Sequence, residues 1–281
     1  MATTPKSDRI AGENEDATAW SLGLCRFAVA DGATDSAFSG PWAAALARAF
    51  AAEGPAAGSA DFVTALRGWL APLQEGWRES IPWNRLPWYV EEKARLGAFS
   101  TLLGLELDPV SAVLTERDAG VAPGEDPMTW RATAIGDSCL FHWRAGRLLS
   151  AFPLRESAVF GNRPYLLSSH PGRNPDLEGF CHRATGRCRA GDQFFLVTDA
   201  LAQWMLREFE QGRWRAGDLL AAEDEAGFAR LIAALRRTEG LRDDDTTLLH
   251  VRVNHVLGER RGTAAPSGRE PIAWPGASLP R

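Results

Sequence analysis

Residues 20–30 (WSLGLCRFAVA) form an apolar run with aromatic and β-branched side chains that stops at Asp31-Gly32. This profile predicts a buried strand closed by a tight turn, with Asp31 at its carboxyl end. The period then changes. Residues 39–53 are rich in alanine, open on Ser39 as a candidate cap and are stopped by Gly54-Pro55, so a helix is predicted there. A second helix is expected from Asp61 to about Glu79, where Leu66, Trp69, Leu70 and Leu73 recur at three- and four-residue intervals, with Pro72 as a candidate kink. Residues 81–89 carry Pro82, Trp83, Pro87 and Trp88, a rigid aromatic segment expected to wedge against the core.

Strand patterning resumes over residues 99–107 and 128–135, is interrupted by Gly136-Asp137-Ser138, and continues as a hairpin of residues 139–143 and 148–152 around Ala145-Gly146. Residues 153–179 are rich in Pro, Gly, Asn and Ser without periodicity, and are expected to be a long irregular insertion, a candidate lid. A strand over 194–197 runs into Thr198-Asp199, followed by a helix over 200–209 with Leu201, Met205 and Leu206 on one face. A helix over 223–237, the triplet Asp243-Asp244-Asp245 and a closing strand over 247–253 complete the pattern.

The chain has 281 residues, 45% hydrophobic and 24% charged, which suits one large domain with a real core. The expected organisation is a flexible N-terminus over 1–10, a single domain over 11–255 and a disordered tail over 256–281, rich in Gly, Pro, Arg and Ser. A formal net charge of -5 argues against binding the nucleic-acid backbone. No stretch has the length or apolarity of a membrane span, and the N-terminus lacks an apolar signal core, so a cytoplasmic protein without a membrane partner is expected. Four cysteines without a CxxC pair read as reduced thiols; Cys181, His182 and Cys188 are better explained by strand packing than by zinc.

Acidic residues recur in one context: Glu15-Asp16 before a strand, Asp31 and Asp199 at strand ends, and Asp243-Asp244-Asp245 at the start of the last strand. Any one of them is explained by the turn preference of aspartate. The whole set matches what hard divalent cations require, several oxygen anions converging from different strand termini. None of the histidines shows metal-ligand spacing.

In this order the motifs resemble the metal-dependent protein phosphatases of the 2C class. Asn14-Glu15-Asp16, Val29-Ala30-Asp31-Gly32, Gly136-Asp137-Ser138, Gly191-Asp192 through Thr198-Asp199, and Asp244-Asp245-Thr246-Thr247 correspond to the family's successive elements. The resemblance implies an α+β fold, a four-layer α-β-β-α sandwich of two mostly antiparallel sheets flanked by helices. It implies two Mn²⁺ or Mg²⁺ ions: Asp31 bridging them, the Gly32 carbonyl and Glu15 helping to hold one, Asp199 and Asp244 holding the other, and Asp16 acting directly or through water. Asp31, Asp199 and Asp244 would then be the catalytic set, with hydroxide attacking phosphorus in line. Asp137 is read as a turn residue or the holder of a third, weaker ion. The implied substrate is a phosphoserine or phosphothreonine protein in a kinase-linked signalling system, met by a monomer.

The chain departs from the family pattern in three places. Asp31-Gly32 continues as Ala33-Thr34, without the histidine proposed as general acid in some members. Ala11 stands near the place of a phosphate-binding arginine, with Arg9 upstream, and Ala200 replaces the glycine after Asp199. Arg155, Arg163 and Arg173 in the insertion are candidate phosphopeptide clamps, weighed against ordinary solvation. These departures raise a second expectation, a catalytically weak phosphoprotein-binding module.

Overall fold

Alternation within one short strand sets the layering. In β3 (Arg26–Asp31), Phe27 and Val29 project into one apolar layer, whereas Ala28 and Ala30 project into another. The strand is therefore buried on both faces, as an inner layer of a sandwich must be. The computed structural model describes residues 1–7, 13–56, 58–109, 128–161, 163–222 and 224–254. The expected tail over 256–281, Arg9 and Ala11 lie outside the described residues.

One sheet runs β10 (His182–Cys188), β6 (Met128–Ile135), β5 (Leu102–Pro109), β3 and β2 (Asp16–Ser21). The other runs β1 (Ala2–Thr4), β12 (Thr246–Arg252), β11 (Gln193–Val197), β7 (Cys139–Arg144) and β8 (Arg147–Phe152). Every neighbouring pair is antiparallel. A two-stranded piece joins β4 (Phe99–Ser100) to β9 (Leu167–Ser168).

Three apolar layers hold these elements together. Phe27, Val29, Leu105, Trp130, Phe194 and Leu249 fill the space between the sheets. On the outer face of the first sheet, α1 (Ser39–Glu53) and α2 (Phe62–Ser80) bury Trp42, Leu46, Phe50 and Leu66 against Ala28 and Ala30. Small residues on the strand let the helix come close, and Gly104 carries this furthest: a Cβ there would lie 2.1 Å from the Phe50 ring. On the other sheet, α5 (Asp199–Glu210), α6 (Ala216–Leu220) and α7 (Glu225–Thr238) pack Leu201, Trp204, Phe228 and Ile232 on Phe141 and Phe195. Each such side chain contributes roughly 1.5–3 kcal/mol when fully buried. The result is the expected α+β, four-layer α-β-β-α sandwich.

The structure differs from the sequence expectations at several points. Residues 20–30 are not one strand but parts of a hairpin, because the chain turns at 22–25, with Cys25 at φ 50°. Leu22 and Leu24 are exposed, so an apolar turn was hidden inside an apolar run. Ser39 does not cap α1; Phe38 takes that position in the left-handed region and the Ser39 hydroxyl serves Glu15 instead. Asp61 does cap α2, accepting from the Thr64 N–H at 3.0 Å.

Within the N-terminal segment expected to be flexible over 1–10, Ala2–Thr4 form a strand, and residues 8–10 lie outside the described residues. Ala2, Thr3 and Thr4 pair with Leu248, Thr247 and Thr246, which satisfies the outer edge of β12. The insertion also has internal structure: the Asn174 side chain ties Ser168 through two hydrogen bonds of 2.8 and 2.9 Å, and α4 (Leu177–Phe180) buries Leu177. A further helix, α3 (Trp88–Arg95), leaves Trp88 exposed rather than wedged, while Trp83 packs against the α1–α2 layer. Among the described residues no helix is long and apolar enough to cross a membrane.

Candidate functional site

Asp31 ends β3 directly opposite Asp16, which begins β2; the two are register partners. Backbone bonds fix the place of Asp31: its N–H donates to Thr101 Oγ1 at 2.9 Å, and its carbonyl accepts from Thr101 N at 2.8 Å. Thr101 Oγ1 also lies 2.9 Å from Ser138 Oγ, so the Gly136-Asp137-Ser138 turn is locked to the same point. Gly136 has φ 101°, and a Cβ there would approach Thr101 Cγ2 to 2.6 Å, so both conformation and space demand glycine. The second sheet supplies Asp199, at the junction of β11 and α5, and Asp244, just before β12.

The charges of these side chains act on one another. Burial pushes the Asp31 carboxyl well above the usual range, and the charges of Asp16, Asp199, Asp137 and Asp244 push it further. Asp16 is likewise raised by burial; hydroxyls of Thr247 and Thr198 pull it back, while Asp245 and Asp199 add to the rise. Asp137 is pushed up to about 7 by burial and then by Asp199. Asp199 is raised by burial against the pull of Arg242. Asp137 thus lies within electrostatic reach of Asp199 and Asp244.

Among the described residues, two side-chain cations pair with these carboxylates. Arg242 Nη2 bonds Asp199 Oδ2 and lies 3.4 Å from Asp244 Oδ2. Lys6 Nζ lies 2.9 Å from Asp244 Oδ1 and donates to Thr34 Oγ1 at 2.8 Å. Neither was foreseen. Arg242 carried one signal, a basic residue directly before an acidic triplet, whereas Lys6 reaches the site only through the β1–β12 pairing, which no local pattern encodes.

Other motif residues make contacts that tie the strands together. Asp245 is buried and accepts from Lys6 N and Glu15 N, both at 2.9 Å, tying the N-terminal segment and the first motif to the last strand. Glu15 turns its carboxylate to Ser39 Oγ, and its carbonyl accepts from Gly32 N at 3.2 Å. A Cβ at Gly32 would meet Glu15 O and Ser39 C at 2.9 Å each, so the chain can pass there only as glycine. Asp192 is fully buried and bonds His142 at 2.9 Å and Arg144 at 2.5 and 2.7 Å, so it locks β11 to β7. Arg155, Arg163 and Arg173 are all exposed.

For divalent cations the donor chemistry fits: the converging groups are carboxylate oxygens, and Asp16 Oδ1 and Asp199 Oδ1 are buried without a hydrogen-bond partner. As the side chains stand, among the described residues no group of three or more His, Cys, Asp and Glu is drawn together tightly enough to hold an ion, and this includes Cys181, His182 and Cys188. Arg242 and Lys6 occupy part of the charge that an ion would otherwise meet.

No protein-family model matches the chain, and no curated protein matches it. Solved structures do. The catalytic domain of the serine/threonine protein phosphatase PstP in complex with two manganese ions is 15% identical, with a TM-score of 0.52, covering 90% of this chain and 96% of that one. The Mycobacterium tuberculosis serine/threonine phosphatase PstP/Ppp is 17% identical, with a TM-score of 0.50, covering 90% and 97%. A bacterial serine phosphatase is 12% identical, with a TM-score of 0.52, covering 90% and 96%. At these identities the likeness is one of architecture, and the chain has the fold of the PP2C-type serine/threonine phosphatases.

Proposed function

We propose that this protein is a divergent metal-dependent phosphatase that removes phosphate from phosphoserine or phosphothreonine of proteins. The observation that supports the reading is that Asp16 and Asp31 from one sheet, Asp199 and Asp244 from the other, and Asp137 in the turn between β6 and β7 act on one another's charge. Asp16, Asp31, Asp199 and Asp244 would hold two Mn²⁺ or Mg²⁺ ions, with the Gly32 carbonyl beside them. Glu15 would join by releasing Ser39. When bound, such ions supply Lewis acidity that neutralises phosphoryl charge and makes a water acidic enough to attack at neutral pH.

The chain's own groups set the geometry around that chemistry. Thr198 Oγ1 donates to Asp16 Oδ2 at 3.0 Å and so leaves Asp16 Oδ1 available. Thr247 N in turn donates to Thr198 Oγ1 at 2.9 Å, which fixes that hydroxyl. No serine, cysteine or histidine nucleophile is needed, and the phosphoryl group passes to water. The ion content of the PstP structure supports this reading by analogy of fold. The substrate would be a phosphorylated protein of a kinase-linked signalling system, met by a monomer in the cytoplasm.

Purified protein with Mn²⁺ should hydrolyse a generic aryl phosphate, and EDTA should stop it. A second reading is favoured by one observation, the pairing of Asp199 with Arg242 and of Asp244 with Lys6: the carboxylates are neutralised by the protein itself, and the chain binds phosphoproteins without turning them over. Calorimetric titration separates the two, since only the phosphatase reading requires a tight Mn²⁺ site.

A further inference from the structure

Five carboxylates are a poor place for a phosphate monoester, an anion, to arrive. A cation on the solvent side of the group changes that, and Arg242 stands there: its side chain is 33% exposed, against 12% for the Asp199 side chain beneath it. The pair between them is incomplete. Arg242 approaches through Nη2 alone, its Nε is buried without an acceptor, and Asp199 Oδ1 is buried without a donor. A guanidinium and a carboxylate in their preferred fork would satisfy both atoms with two parallel bonds. Here each partner keeps one buried polar atom without a hydrogen bond, so the present pair does not satisfy either group.

An arginine guanidinium stays cationic at any working pH, and Arg242 has Asp199 and Asp244 beside it. The guanidinium edge formed by Nε and Nη2 matches two oxygens of a phosphoryl group, a geometry that lysine lacks. Lys6 pairs with the other oxygen of Asp244 and also bonds Thr34.

Resting on the two-ion reading above, we propose that Arg242 is the phosphoryl-binding residue of this site, held on Asp199 until a divalent cation takes that carboxylate. Its release then presents the Nε–Nη2 edge to two phosphoryl oxygens. No bond is made or broken in this exchange; one ion pair is replaced by another. Arg242 therefore competes with the divalent cation for Asp199 and cooperates with it in holding phosphate.

These opposite effects give the test. Mn²⁺ is titrated calorimetrically into wild-type protein, Arg242→Ala and Arg242→Lys, and inorganic phosphate is then titrated into each Mn²⁺-saturated protein, with thermal unfolding as the check on folding. The expected result is that Arg242→Ala binds Mn²⁺ at least as tightly as wild type and binds phosphate about 10- to 100-fold more weakly, the loss of a charge-assisted pair. Arg242→Lys falls between, and carries the comparison if the alanine variant unfolds. With an aryl phosphate, KM should rise more than kcat falls. Phosphate affinity within twofold of wild type in a Mn²⁺-loaded variant overturns the proposal for Arg242 alone, as does a tenfold loss of Mn²⁺ affinity. Absence of any Mn²⁺ site in the wild-type protein overturns the two-ion reading and this inference with it.

Discussion

Asp16 and Asp31 sit opposite each other on β2 and β3, so a single antiparallel pair carries two carboxylates face to face. Like charges in direct cross-strand register destabilise a sheet unless a cation lies between them. Replacing Asp31 with Asn should therefore stabilise the metal-free protein at pH 8 by about 1 kcal/mol or more, roughly 3 °C at this chain length. The same variant should lose Mn²⁺-dependent stabilisation and at least about 100-fold in aryl phosphate hydrolysis. Asp199→Asn should behave alike towards Mn²⁺. Robust activity in both variants removes the two-ion assignment.

The pH dependence follows from the direction of the shifts. Asp137 is pushed up to about 7, and Asp16, Asp31 and Asp199 are raised as well, so the native state holds protons that the unfolded chain has already released. The contribution of these four groups is then fully present below the ordinary carboxylate range, about pH 4, and that of Asp137 is lost as pH rises through about 7. Metal-free protein should unfold at a lower temperature at pH 8 than at pH 5.5, by about 5 °C or more, and Asp137→Asn should flatten part of that slope. Saturating Mn²⁺ should reverse the trend, because binding favours the deprotonated carboxylates. Buried His142 and half-buried His250 pull the other way, so the test is the difference: a slope from pH 5.5 to pH 8 that Asp137→Asn leaves unchanged contradicts the mutual burial of these groups.

Asp245 gives a contrast within the same triplet. Its two oxygens hold Lys6 N and Glu15 N, both at 2.9 Å, and it is buried. Asp245→Ala should cost about 2–4 kcal/mol by leaving two backbone donors unserved, and should lower activity only in step with folding. Urea unfolding beside specific activity per folded molecule separates this from the loss expected at Asp244.

Packing makes an independent prediction far from the carboxylates. Gly104→Ala would drive a methyl group into the Phe50 ring, 2.1 Å away, and should destabilise by about 1–3 kcal/mol. Adding Phe50→Leu should recover part of that loss in a double-mutant cycle.

Most of the layering was legible in the chain because it rests on local periodicity. The alanine-rich run before Gly54, the alternation in Met128–Ile135 and the hairpin around Ala145-Gly146 each state their element without help from the rest of the fold. What escaped depended on long-range pairing or on disguise. The turn at 22–25 is built from leucines that happen to be exposed, and β1 exists only because β12 offers it an edge. At the site, the aspartates announced themselves by recurring at strand ends, whereas Lys6 and Arg242 are defined by which carboxylates the tertiary fold sets beside them. The Ser39–Glu15 bond was likewise hidden, because it joins a residue before β2 to the start of α1.

The carboxylates come from two separate sheets, Asp16 and Asp31 from one and Asp199 and Asp244 from the other. An ion shared between the two sets would act as a rivet across the seam of the sandwich. Chelation should then loosen the slippage of one half over the other before it melts either half, with amide exchange quickening first along the facing ends of the strands.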